Sequence, residues 1–376
     1  MSSHRRTNIT KGRQILRPVK LVVGTLMLIA VFVTGIYAAL VQVSGARTVG
    51  DDVIHASGAP AGLPIGFHRA RPLPTLAPTH KRAPKHAPPA SPSPSSSPVV
   101  VKQAAGCSAA SNTPGGPDPW GGCWPGPGNT GVPAGIALSN HTGSCNVSAS
   151  NTVIDAKIFN CGVVVTGSNV TIKDSQISGT VQNNGNGHLL IEDTTINGGD
   201  DQSESLGGSN ITLLRSNLYG DQHEIYCGSG CTVEDSWLHD NFNGQSLGWH
   251  QNGFLSTGGS DYTLVHNSVY CVGGCTADIT FIPNDNISNA TISKNLLVSS
   301  PGSAYCLYPS SDHPGKPGNV SQMTVTDNVF QSGSDGKCAT YGPVYGWDSP
   351  TSSPGADGYN NVWSGNKWND GKALGP

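Results

Sequence analysis

The chain has 376 residues, of which 12% are charged and 36% hydrophobic, and its formal net charge is −3. That figure hides a segregation: residues 1–102 hold 13 of the 21 Lys and Arg, whereas from residue 103 onward 8 Lys and Arg face 22 Asp and Glu, a net of −14. So few cations exclude a nucleic-acid role for the larger part, and a polyuronate would be repelled from it unless calcium bridged the two.

Residues 1–20 carry six basic residues and no acid, and residues 21–43 (Leu21 to Val43) carry no charge. An apolar run of that length spans a bilayer, and the basic flank places the N-terminus in the cytoplasm. Two readings stand: an uncleaved membrane anchor, or a signal peptide cut after Ser44-Gly45-Ala46. Either way the remainder is exported, to the outer face of the cell membrane or beyond it. Residues 44–106 are rich in Pro, Ala, Ser and basic residues, as in Pro88-Pro89-Ala90-Ser91-Pro92-Ser93-Pro94. Such a composition builds no core and is expected as a disordered linker.

All ten Cys lie between 107 and 338. An even number in an exported domain reads as disulfides, with local pairs Cys107–Cys123, Cys145–Cys161, Cys227–Cys231, Cys271–Cys275 and Cys306–Cys338. The two Cys-x-x-x-Cys pairs leave a four-sulfur zinc site as the alternative. Residues 107–150 are Gly- and Pro-rich, contain Trp120 and Trp124, and are expected to cap the N-terminal end of the domain at 151–376.

That domain is built on a repeat. The heptad Thr171–Ile177 returns at Leu190–Ile196, Thr212–Leu218, Thr232–Leu238, Thr263–Val269, Thr291–Leu297 and Thr324–Phe330, after a weaker copy at Thr152–Ile158. In the seven good copies the second and seventh residues are always apolar, and the fifth is always Ser, Thr or Asn. First positions are 19, 19, 22, 20, 31, 28 and 33 residues apart. Apolar residues alternate at period two and slip at the third and fourth positions, which reads as strand, bend, strand. One such unit cannot bury its apolar face alone; stacked coils fuse those faces into a continuous core. The fifth column is expected to form a ladder in the bend, each side chain bonding the one above it.

This pattern resembles the right-handed parallel β-helix of the pectin-lyase-like superfamily, over about residues 135–370. The phrase Asn129-Thr130-Gly131-Val132-Pro133-Ala134-Gly135 ahead of the repeats is similar to secreted β-helix proteins of actinobacteria. The expected fold is therefore all-β, a right-handed parallel β-helix over 151–376, closed at its C-terminal end by Trp363-Ser364-Gly365-Asn366-Lys367-Trp368. Polygalacturonase-like hydrolases on this fold show Asn-Thr-Asp, Asp-Asp, Gly-His-Gly and Arg-Ile-Lys motifs, and only Asp200-Asp201 resembles one of them. Pectate-lyase-like proteins need a basic residue beside carboxylates, for which only Arg215 and Lys294 stand in the central repeats.

Candidate chemistry falls on the strands that precede successive heptads: His223 and Glu224, then Trp249, His250 and Asn252, then Asp278. The fifth coil is enlarged and carries the insert His239 to His250, and long loops on rigid scaffolds are where binding residues concentrate. In register, Glu224, Asn252 and Asp278 would occupy related positions on three coils. Two coil steps set Glu224 and Asp278 about 9–10 Å apart at the backbone. Their carboxyls then approach the roughly 6.5–9.5 Å of an inverting hydrolase, with His250 orienting substrate or water. In a β-elimination His250 is the base, and a carboxylate-bound calcium neutralises a uronate. Trp249 stacks on a sugar in either case, with His223 and Asn252 as further binding groups.

Three classes remain open at the level of sequence: a polysaccharide lyase or hydrolase, a non-catalytic glycan-binding surface module, and a structural scaffold. Clustered carboxylates in a cleft around His250 favour the first. An aromatic strip without close acid–base pairs favours the second.

Overall fold

The computed structural model describes residues 106–242, 244–310, 317–347 and 360–376. The basic tail, the apolar run and nearly all of the linker therefore lie outside the described residues. Within them the chain is a parallel β-helix with three strands to a coil. Strand β3 (Val153–Asp155) begins a nine-stranded sheet that ends at β26 (Val362–Ser364). Strand β1 (Ser139–Asn140) begins a ten-stranded sheet ending at β27 (Lys367–Trp368), and β2 (Asn146–Val147) begins an eight-stranded sheet ending at β23 (Leu307–Tyr308).

Each heptad straddles the first two sheets. In one coil, β12 (Ile211–Leu214) lies in the nine-stranded sheet, β13 (Asn217–Tyr219) in the ten-stranded sheet and β14 (His223–Cys227) in the eight-stranded sheet. The second and seventh heptad residues all point inward: Ile172, Leu213, Ile292, Ile177, Leu218 and Phe330 are 0% exposed, and Val233 is 1% exposed. Full burial of such a side chain stabilises by roughly 1.5–3 kcal/mol, and the columns are continuous from coil to coil.

The bend has a fixed backbone. The fourth heptad residue is left-handed in every good copy, with φ of 52° at Asp174, 48° at Asp193, 45° at Arg215, 52° at Asp235, 53° at His266, 55° at Lys294 and 59° at Asp327. That conformation turns the chain from one sheet to the next and aims the fourth side chain outward.

The fifth residue then closes the hydrogen bonding. The backbone N–H of Ser175 donates to Thr194 Oγ1 (3.3 Å), that of Thr194 to Ser216 Oγ (3.2 Å) and that of Ser216 to Ser236 Oγ (3.1 Å). The Ser and Thr hydroxyls themselves donate back within their own coil, as Ser216 Oγ does to Leu214 O (2.8 Å). Only the Asn members bond side chain to side chain: Asn267 Nδ2 donates to Asn295 Oδ1 (3.0 Å) and Asn295 Nδ2 to Asn328 Oδ1 (3.0 Å). The expected ladder is present, with backbone amides as its rungs in the hydroxyl half. Asn328 continues it to Asn366 Oδ1 (2.9 Å), because residues 362–368 form a further coil paired to Thr324–Thr326 and Val329–Phe330.

Residues 107–150, expected to cover the first coil, divide between two places. Strands β1 and β2 pair with β4 (Lys157–Phe159) and β5 (Val163–Val165) at the start of the helix. Residues 112–131 lie along the outside of the ten-stranded sheet. Asn112 Nδ2 donates to Asn369 O (3.0 Å) in the last coil, and Gly131 N donates to Arg215 O (2.8 Å) several coils earlier. Trp124 is fully buried there against Leu296, Val298 and Val329, outward-facing residues left apolar because this segment covers them. His266 fastens it, bonded to Asp235 Oδ1 (2.5 Å) and Asp118 Oδ2 (3.2 Å) and stacked on Trp124 at 5.4 Å.

The five expected disulfides are all formed: Cys107–Cys123, Cys145–Cys161, Cys227–Cys231, Cys271–Cys275 and Cys306–Cys338. Each Cys-x-x-x-Cys pair closes on itself, so neither has a thiolate for zinc.

Candidate functional site

The eight-stranded sheet carries the candidate residues. Its central strands are β14, β17 (Asn252–Ser256) and β20 (Ala277–Phe281), followed by β23. His223 pairs with Asn252 and Asn252 with Ala277; Ile225 pairs with Phe254 and Phe254 with Ile279. Glu224 and Asp278 therefore both stand opposite Gly253, one residue out of step with Asn252. Strict alternation breaks down along this stretch, because Gly253 and Phe254 both point at the core, and the expected constellation divides in two.

One half faces out. A cleft of about 650 Å³ lies over the outer face of the sheet, and His223, His250 and Asn252 line it together with Leu255, Tyr308 and Tyr341. Asn252 fixes the floor: its Nδ2 donates to His250 O (3.2 Å) and lies 3.3 Å from His223 Nδ1, while its Oδ1 accepts from the Thr280 hydroxyl. Burial lowers the His223 pKa to about 4, so the imidazole is neutral at neutral pH. The enlarged loop forms one wall. Its short 3₁₀ helix, Gln245–Leu247, is followed by Gly248 at φ 76°, which turns the chain so that exposed His250 reaches the cleft. Gln222 Nε2 holds the His250 carbonyl at 2.9 Å.

The other half faces in. Glu224 and Asp278, expected as acid and base, are 0% exposed and do not line the cleft. Gly253 shows why the interior has room for them: a Cβ there would stand 2.4 Å from Val269 Cγ1, so this position of the strand points at the core. Burial pushes the pKa of both carboxyls well above the ordinary carboxylate range. Asp278 Oδ1 accepts from Cys271 N (2.9 Å). Neither Glu224 oxygen meets a donor at hydrogen-bonding geometry, and the neighbouring Asn241 amide is committed to Gln222 O (3.2 Å) and Asn252 O (3.1 Å). Burial in the core favours the protonated form of both.

Trp249, expected to stack on a sugar, is turned onto its own loop. Its ring lies 5.7 Å from Phe242 and against Gly244, where any Cβ would strike it at 2.3 Å. Asp200 and Asp201 are exposed in the turn before β11 (Glu204–Gly208), one coil earlier. Arg215 is paired with Asp193 (2.7 Å) and Glu192 (3.4 Å). Among the described residues no three His, Cys, Asp or Glu side chains converge as a metal-ligand set.

The aromatic rim at the far end of the cleft escaped the reading of the sequence. Tyr308 stacks on Tyr345 (4.7 Å, 21°), Tyr305 lies 5.0 Å from Tyr345 and 5.9 Å from Tyr341, and Tyr341 is 74% exposed. The segment that carries Tyr341 and Tyr345 is tied to the sheet edge by Cys306–Cys338 and by Leu307 N donating to Pro343 O (2.9 Å). The signal was the spacing of those four Tyr about a disulfide, outside the heptad frame.

Comparison of the chain with protein-family models, with curated proteins and with solved structures finds no match.

Proposed function

We propose that this protein is an exported, right-handed β-helix module that binds polysaccharide at the cell surface without cleaving it. The observation that carries this reading is the division of the site: His223, His250 and Asn252 face the cleft, while Glu224 and Asp278 are turned into the core. Glycoside hydrolysis by a carboxyl pair needs both within reach of the scissile bond, and a strand backbone separates these two from the cleft. Elimination with His250 as base needs a cation to neutralise the uronate carboxylate, and among the described residues no Lys, Arg, Asp or Glu lines the cleft to supply or hold one. A cleft lined by two histidines and rimmed by aromatic rings suits sugars, which offer hydroxyls to the first and C–H faces to the second.

Five disulfides fit an oxidising location. The order of basic tail, apolar run and Pro/Ser-rich linker in residues 1–106 fits a tether that displays the domain outside the membrane.

The test is a polysaccharide panel scored for binding, for new reducing ends and for unsaturated products. Binding to at least one polymer with neither product is expected. Turnover by the parent chain restores the enzyme reading, and no binding to any polymer removes the glycan reading. On intact cells, protease is expected to release the domain by cutting within residues 47–106; a protected domain contradicts its display.

A further inference from the structure

The cleft has a chemical bias of its own. Among the described residues, no Lys, Arg, Asp or Glu lines it. A uronate or phosphate chain bound there would lose water from its charges and meet no cation in return. The surrounding domain adds long-range repulsion, with 22 Asp and Glu against 8 Lys and Arg from residue 103 onward.

The lining also has a direction. His223 belongs to β14, Asn252 and Leu255 to β17, and Tyr308 to β23, three coil steps from His223. At about 4.8 Å per step the cleft runs about 14 Å parallel to the coil stack. Leu255, Thr280 and Tyr308 form one register column along it. Tyr341 stands at the far end with 74% of its surface exposed, which for a large aromatic side chain is a stacking face left open to solvent.

Resting on the glycan reading above, we infer that the cleft takes a neutral glycan, laid parallel to the helix axis, with Tyr341 stacking on a sugar ring at one end and His223 and His250 supplying hydrogen bonds at the other.

The test is titration of the full chain, purified in mild detergent, with neutral hexasaccharides of the cello, xylo and chito series and with oligogalacturonate of equal length. One neutral series is expected to bind at least about tenfold more tightly than oligogalacturonate, and Tyr341→Ala is expected to weaken it by about tenfold. The exposure of Tyr341 keeps this change out of the core, and an unchanged thermal midpoint confirms an intact fold. Oligogalacturonate binding as tightly as the neutral series overturns the inference and leaves glycan binding standing. Unchanged neutral affinity in Tyr341→Ala overturns it as well. If neither class binds, the glycan reading falls together with it.

Discussion

Glu224 and Asp278 show how one position along a strand decides a residue's role. On the outer face they would be reactive carboxylates; on the inner face burial raises their pKa well above the ordinary 4.5 and 3.8 and favours the protonated form. Each then holds a proton in the fold that the unfolded chain has released. Their contribution to stability is whole below those ordinary values and is lost as pH rises toward the folded pKa. His223 acts on the opposite side: its pKa, lowered from 6.5 to about 4, removes stability as pH falls through that window. We therefore expect the thermal midpoint to fall as pH rises above the 6.5 of an ordinary histidine toward the raised carboxyl pKa values, and Glu224→Gln and Asp278→Asn each to flatten that decline. An identical slope in parent and variants would place the two carboxyls in water.

The inward turn of these residues was not legible in the sequence, for a physical reason. Glu224 and Ile225 are both buried, as are Asp278 and Ile279, so alternation fails where the coil rounds its corner. Counting back from the heptad does not reveal this, because the intervening length varies from coil to coil.

At the scale of the element, the heptad was legible because three independent demands fall on it. Its second and seventh residues fill the core, its fourth takes the left-handed turn, and its fifth supplies an acceptor to the next amide. The fifth column also has a polarity along the helix: Ser and Thr in the early coils, Asn from Asn267 onward. Asn295 accepts from Asn267 N (2.9 Å) and Asn267 Nδ2 (3.0 Å) and donates to Leu264 O (2.9 Å), all in a site 0% exposed. Asn295→Ala strands those partners, and a buried group left without its bond costs about 1–3 kcal/mol. Denaturant unfolding is expected to show a loss of that order or larger for Asn295→Ala, and a smaller one for Asn295→Ser, which keeps an acceptor. Equal losses would mean that the column acts through packing alone. The coil at 362–368 follows the same rules, with Trp363, Asn366 and Trp368 in the second, fifth and seventh places. It reads as a repeat with Val362 in the first position, where Leu190 already departs from Thr.

At the scale of the whole molecule, a stacked coil gives each sheet a different task. The ten-stranded sheet is covered by residues 112–131, where Trp124 and His266 lock the segment down. The eight-stranded sheet bears the cleft, walled by the enlarged loop and by the tyrosines beside Cys306–Cys338. The sequence placed the candidate residues on successive strands, and His223, His250 and Asn252 do meet on one sheet. It did not separate the two faces of that sheet, nor bring the remote tyrosines to its edge. The central claim is that function lies on the outer face and that the buried carboxyls take no part. The most direct test compares His250→Ala with Glu224→Gln for binding of the tightest neutral hexasaccharide. We predict a loss of about tenfold for His250→Ala and parent affinity for Glu224→Gln. Lost binding in Glu224→Gln, with His250→Ala unchanged and both folds intact, would contradict the account.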